Sequence, residues 1–391
     1  MTTTQDLRFR AAALRSVTER EADAIDRACT LTPPMIDAIT DAGLWHIAVP
    51  HELGGHEADT GVVLDVCEEL SFQDGSVGWS FMANVAATAY TAYLNPRVAE
   101  EMVAGRPASV LAGQLAPKTI IRRKDDGFIV GGDFSFGSGS AHASYLSGGG
   151  MVEDHDGKHV LLESGSPAFL GYFVPAATAE LKGGWDVMGL RGTGSFDYTI
   201  PERFIDADAT FWVLDPVVHA SAPLYRIGPI CLAGIGHAGW GLGVARRALH
   251  EIEQIAAGGR YRLNGRALSE HQYFQREIAK QSLALDSARL LVHDVFGKTV
   301  DTMSQGQPMT PDRVQTIMAS VTYMTEVCGQ IVQFAYAESG SQGLRNPSIL
   351  QRCFRDFHTG AQHIFVDHKS YEALGTHRLD AARAHISQSS P

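Results

Sequence analysis

The chain has 391 residues, 45% hydrophobic and 19% charged, an ordinary globular balance at a length that suggests roughly two or three domains. A net charge of −12 excludes a protein that holds nucleic acid by neutralising phosphates, and the one basic run, Arg122-Arg123-Lys124, passes straight into Asp125-Asp126-Gly127 like a hairpin strand meeting its turn. The five cysteines are odd in number and no two are close, which argues against a disulfide framework or a metal site; with no signal-peptide pattern and no apolar run of membrane-spanning length, a soluble cytoplasmic protein without membrane contact is expected.

Residues 1–108 read as a helical domain. Helix-type spacing covers residues 19–29 and 34–42, with Thr32 placed to cap the second and Pro33 at its first helical position. A short apolar passage, residues 43–50, leads to Gly54-Gly55. Helical spacing returns over residues 60–70 and 77–94; the latter is rich in Ala and Tyr and is expected to be buried on more than one side. Over residues 109–215 the texture changes to short runs (119–123, 128–131, 145–152, 159–163, 171–174 and 196–200) broken by Gly, Asp and Pro, which predicts a compact antiparallel β domain. Residues 216–391 are helical again, in segments near 228–257, 269–303, 311–338 and 347–374, enough for a four-helix bundle. The fold class is α+β.

On a helical period, Arg352, Asp356, Thr359 and His363 share one face of the last segment, and Phe354, Phe357, Ala361 and Ile364 share another, which a core would claim. His363 ends the polar line and can exchange a proton near neutral pH. Taken alone, a surface helix with ordinary polar residues is the better reading. Gly234-Ile235-Gly236-His237-Ala238-Gly239 matches G-x-G-x-x-G, but no βαβ unit surrounds it, so small residues that let helices approach closely explain it better. There is no G-x-S-x-G elbow and no P-loop.

Three further stretches carry weight. In Phe134-Ser135-Phe136-Gly137-Ser138-Gly139-Ser140-Ala141-His142, glycines beside hydroxyls allow the edge of a flat heterocycle to be bonded; a softened strand end is the alternative. Trp185-Asp186-Val187-Met188-Gly189-Leu190-Arg191-Gly192-Thr193-Gly194-Ser195 offers packing surface and then backbone donors, or else a bulged turn. Residues 262–272 bring Arg262 and Arg266 to the start of a helix, where they can hold phosphate or simply be solvated.

Together these stretches resemble the acyl-CoA dehydrogenase superfamily, in the order helical domain, β domain, helical bundle, and in residues 42–55, 188–195 and 264–272. In the last of these, Asn264 replaces a phenylalanine, and the family's arginine falls at Tyr261, one place before Arg262. The Ile-Tyr-Glu-Gly-Thr of the dehydrogenases is missing after Arg355-Asp356, and His363 stands there instead. With residues 136–139, this is similar to the two-component (group D) flavin-dependent monooxygenases. Some of these carry Ser-Ser-Gly in place of Gly137-Ser138-Gly139, and some place a histidine on the helix after Gly-Trp, where this chain has Asn84.

The resemblance implies an oxygenase component that hydroxylates an aromatic or polycyclic substrate through a flavin C4a-hydroperoxide. Molecular oxygen would be co-substrate, and a separate flavin reductase would supply FMNH2 or FADH2. It implies His363 as the base, with a rate that rises as its imidazole loses a proton, and Ser138 as a hydrogen-bond partner near flavin N5. Phe136, Gly137, Trp185, Met188, Arg191, Thr193 and Ser195 would line or hold the flavin, and Arg262 its phosphate. A homotetramer is expected. The alternative is an FAD-dependent acyl-CoA dehydrogenase, which needs a carboxylate base that the sequence does not supply; a non-catalytic helical module is a third reading.

Overall fold

The structure, a computed structural model, describes residues 4–259 and 265–389. Six helices come first: α1 (Thr4–Ala13), α2 (Arg15–Ala28), α3 (Pro33–Asp41), α4 (Thr60–Gln73), α5 (Gly75–Ala89) and α6 (Pro96–Val103). Local chemistry sets several boundaries. Asp59 Oδ1 accepts from Val62 N–H at the start of α4, and Asp74 Oδ1 accepts from Ser76 and Val77 N–H at the start of α5. Thr32 does occupy the position before α3, but its hydroxyl goes to Glu21 at 3.0 Å and makes no cap.

Eight strands follow: β1 (Leu111–Gly113), β2 (Thr119–Lys124), β3 (Gly127–Gly137), β4 (Tyr145–Glu153), β5 (Phe169–Pro175), β6 (Glu180–Gly183), β7 (Phe196–Asp206) and β8 (Thr210–Trp212). The sheet is mixed, which corrects the antiparallel expectation. β1 and β2 lie end to end along one edge of β4, both parallel to it, while the other pairs are antiparallel. Residues 159–163 form isolated bridges rather than a strand. Because β2 pairs with both β3 and β4, residues 138–144 must cross from one to the other over the sheet's end. That crossing faces α5: Asn84 Nδ2 donates to Leu111 O of β1 at 3.0 Å.

The C-terminal helices are α7 (Gly228–Ala257), α8 (Gln272–Ser304), α9 (Pro311–Ser339), α10 (Ile349–Gly360) and α11 (Lys369–Ser389). The fourth expected segment is thus two helices. Gly360 lies flat against Trp240, where a Cβ would come within 2.2 Å of the ring, and the chain then turns. The turn swings Ile364 outward, to 80% exposure, so the core face predicted for it ends at Ala361. α7 is the axis of one core shared by the helices that precede and follow the sheet in the chain. The segment Pro223–Ala257 is long and apolar enough to cross a membrane, contrary to the reading of the sequence, but 83% of its apolar window is buried inside the protein.

The small residues of 234–239 sit within α7 and pack as expected. At Gly239 a Cβ would lie 2.5 Å from Leu64 O of α4. Gly239→Ala should force the two helices apart and lower stability by about 1–3 kcal/mol, an overpacking cost. Thermal unfolding measures it, and an unchanged Tm would mean that α4 and α7 have slack.

Candidate active site

The crossing at residues 138–142 and the turn at residues 190–195 are joined. Gly139 N–H donates to Thr193 O at 2.9 Å and Ser140 Oγ to Gly194 O at 3.2 Å; the Ser138 and Ser195 hydroxyls are 2.7 Å apart. A hydroxyl has one hydrogen, so the donors can be assigned. Thr193 Oγ1 gives its hydrogen to Leu190 O at 2.9 Å; Ser195 therefore donates to Thr193 across 2.6 Å. Ser138 then donates to Ser195, and Trp79 Nε1–H donates to Ser138 at 3.0 Å. Trp185 Nε1–H ends on the same Leu190 carbonyl at 2.8 Å. Ser138, Thr193 and Ser195 are buried. Ser138 is left with a lone pair, not a hydrogen, to offer.

Two residues before it, a β-bulge holds Phe136 at φ 61° and 63% exposed, its ring edge-on to Trp185 at 6.2 Å. Met188 is 54% exposed, and Gly137 is buried against Tyr198. An open aromatic face beside a lone pair fits a flat ring that carries an N–H, and a reduced flavin has one at N5. Arg191 is engaged elsewhere. It donates to Val187 O and Cys29 Sγ and lies 3.7 Å from Asp26, bracing the turn against α2. Arg262 lies outside the described residues.

On its other side Trp79 meets the C-terminal helices. Its ring is edge-on to Trp240 at 4.8 Å and to His363 at 5.5 Å, and 5.8 Å from His237. His363 sits in the turn after α10, stacked on Phe365 at 4.9 Å. Phe365 N–H donates to its Nδ1 at 3.3 Å, so the neutral ring carries its hydrogen on Nε2. Burial pushes its pKa down to about 4. The expected proton exchange near neutral pH is thereby corrected: the ring is already neutral there.

His142, also pushed down to about 4 by burial, directs Nε2 at Asn84 Oδ1 across 3.1 Å. Gly139 makes room, since a Cβ there would lie 2.2 Å from Asn84 Oδ1. An imidazole thus reaches α5 from the β side. Trp79, His142 and His237 were not among the predicted site residues. The one signal in the sequence was a histidine set in an apolar, glycine-rich helix.

The line Arg352, Asp356, Thr359 is an interface and not a solvent face. Arg352 bonds Asp74 at 3.3 Å, Arg355 Nη1 donates to Met188 O at 2.7 Å, and Asp356 Oδ1 accepts from Leu190 N–H at 2.6 Å. Asp356 Oδ2 is buried without a partner.

Two family models match the chain: acyl-CoA dehydrogenase, N-terminal domain, over residues 4–104, and acyl-CoA dehydrogenase, C-terminal domain, over residues 235–368. The chain is 28% identical over 350 residues to an indole-3-acetate monooxygenase of Pseudomonas putida, covering 90% of this chain and 87% of that one. Among solved structures it is similar to 3-HSA hydroxylase from Rhodococcus sp. RHA1 (TM-score 0.88, 21% identity, 96% of this chain and 97% of that one). It is also similar to XiaF from Streptomyces sp. in complex with FADH2 and glycerol (TM-score 0.85, 19% identity, 95% and 94%).

Burial, and then the nearby Asp74 charge, push the Asp356 carboxyl up to about 7. The folded state therefore holds a proton that the unfolded chain has already lost, between the ordinary value of 3.8 and about 7. In that window this group's contribution to stability falls as pH rises. Asp356→Asn keeps an acceptor for Leu190 N–H but cannot ionise. Relative to wild type it should gain roughly 1–3 kcal/mol between pH 5 and 8, read as diverging Tm curves; parallel curves would show that Asp356 is ionised throughout.

Proposed function

Because this chain belongs to the acyl-CoA dehydrogenase superfamily, we propose that it is the oxygenase component of a two-component flavin-dependent monooxygenase acting on an aromatic or polycyclic substrate. One observation carries the reading. Just past the last core helix the site receives a neutral imidazole, His363, while Asp356 on that helix is bonded to Leu190 N–H and pushed toward its protonated form by burial. Proton abstraction in the manner of a dehydrogenase needs a free carboxylate.

Reduced flavin, FMNH2 or FADH2 handed over by a separate reductase, supplies the two electrons with which one atom of dioxygen enters the substrate and the other leaves as water. The residues have separate tasks. Phe136 gives a face for stacking. Ser138, its hydrogen committed to Ser195, accepts an N–H and so favours the reduced ring over the oxidised one, which has no hydrogen at N5. Trp79, Trp240, Phe357 and Phe365 wall the histidines and keep water out. His363 points Nε2–H at the substrate's oxygen and steadies the charge that gathers there. Arg262 remains the candidate for the flavin phosphate.

A homotetramer belongs to the same reading. Leu283 and Leu290 on α8, and Leu379 and Ile386 on α11, form exposed pairs at heptad spacing. The five cysteines are free thiols, which suits the cytoplasm.

The direct test mixes the protein anaerobically with reduced FMN or FAD, then with oxygen-18 gas and a phenol. Label in the product supports the reading, and peroxide with no labelled product from any aromatic tried would overturn it. His363→Ala should slow hydroxylation about 10²–10³-fold while flavin is still oxidised, so that hydrogen peroxide replaces product. His363 donates Nε2–H in both of its charge states and its pKa is pushed down to about 4, so its contribution should be flat from pH 6 to 8; a rise centred near 6.5 would place the titrating group elsewhere. Light scattering at micromolar concentration should give four chains per particle, and a monomer would remove the assembly.

A further inference from the structure

His237 is fully buried midway along α7, and the chemistry proposed so far does not use it. Its hydrogen can be located. Thr325 Oγ1 gives its only hydrogen to Val321 O at 2.8 Å, so across the 3.3 Å to His237 it is the imidazole Nε2–H that donates. The lone pair is then on Nδ1, and Nδ1 is buried with no partner. Buried acceptors are rarely left empty, and an orphan in a site calls for a reason.

The neighbouring ring has the opposite polarity. His363, 5.6 Å away and tilted by 31°, has Nδ1 occupied by Phe365 N–H and carries its hydrogen on Nε2. Two neutral rings side by side thus hold one free acceptor and one free donor. A hydroxyl needs both: somewhere to send its hydrogen and something to bond its oxygen. An indole N–H uses only the acceptor, and a thioether or ring sulfur makes at best a weak bond to the donor. The surroundings suit the rest of an aromatic molecule. Trp79, Trp240 and Phe365 lie against His237; the apolar gap between α5 and α7 bounded by Met82, Val85, Ile235 and Gly236 is no larger than a water molecule, so a ring enters only as these side chains yield. α7 is fixed by close packing at Gly236, Gly239 and Gly243, whereas His363 stands on the turn after α10.

We propose that His237 is a substrate-binding residue that selects a phenolic hydroxyl: its Nδ1 accepts the hydroxyl hydrogen while His363 Nε2–H donates to the same oxygen. The proposal rests on the reading of this site as that of an aromatic hydroxylase. It distinguishes His237, which recognises the substrate, from a histidine that merely fills the core.

The test is binding without turnover. Calorimetric titration under strict anaerobiosis, with and without reduced FMN, compares 4-ethylphenol with 4-ethylanisole, the same ring with its hydroxyl methylated. Wild type should prefer the phenol by about tenfold or more. His237→Phe keeps a flat ring but no acceptor, and should reduce the preference to about twofold or less. His237→Gln keeps a side-chain carbonyl acceptor and an N–H for Thr325, so it should retain most of the preference and guards against a Phe variant that folds poorly. No preference in wild type, or an undiminished one in a folded His237→Phe, overturns the proposal. A preference that vanishes with His237 although no oxygen-18 enters any phenol would leave this binding site standing and sink the hydroxylase reading instead.

Discussion

The site hangs on one buried hydrogen bond, from Leu190 N–H to Asp356 Oδ1 at 2.6 Å. Leu190 begins the turn that carries Thr193 and Ser195, and its carbonyl takes the hydrogens of both Thr193 and Trp185. Asp356 stands on α10, four residues before the helix ends and the chain turns to bring in His363. The same turn is tied to α5 through Gly192 N–H to Ser76 Oγ and to α2 through Gly194 N–H to Cys29 O. Leaving the buried Leu190 N–H without its acceptor would cost roughly 1–3 kcal/mol, more than one exposed ion pair such as Arg97–Glu101 could supply. The hydroxyl row and the imidazoles therefore keep their relative places although they come from the β domain, from helices before and after it in the chain and from a loop.

Desolvation decides the charges. Every histidine around Trp79 is held neutral by burial, and no ionic partner offsets it. The hydroxyl row is neutral too and has a single direction, set by Thr193 giving its hydrogen to Leu190 O. Such a row fixes what Ser138 can present to an incoming group without any formal charge in the wall.

Much of this was legible beforehand where the signal is local. The helical spacing around α4 and α5, the turn chemistry of the β domain and the glycine-rich stretches at 134–142 and 185–195 are short-range features, and each coincides with an element or a turn of the structure. Partner choice between distant strands has no local signature. The three-residue β1 and its parallel pairing with β4 were invisible, so the sheet was read as antiparallel. Periodicity also carried the last helix too far: extended past Gly360, it put Ile364 in the core and His363 on a helix, when close packing of Gly360 on Trp240 ends the helix there. The close packing that explains the glycines of 234–239 says nothing of His237 among them. Whether a histidine in an apolar helix has a partner depends on Thr325, 88 residues away.

The chain itself indicates why imidazole suits this place better than carboxylate. Asp356 is as buried as the histidines, receives one N–H, and still has its pKa pushed up to about 7. A carboxylate facing the aromatic wall, with no N–H to accept, would meet at least the same desolvation cost; it would take up a proton or draw in water. A neutral imidazole avoids that cost and still offers one donor and one acceptor. Set side by side with their hydrogens on opposite nitrogens, His237 and His363 hold one acceptor and one donor, the pair that the proposed phenolic hydroxyl would need.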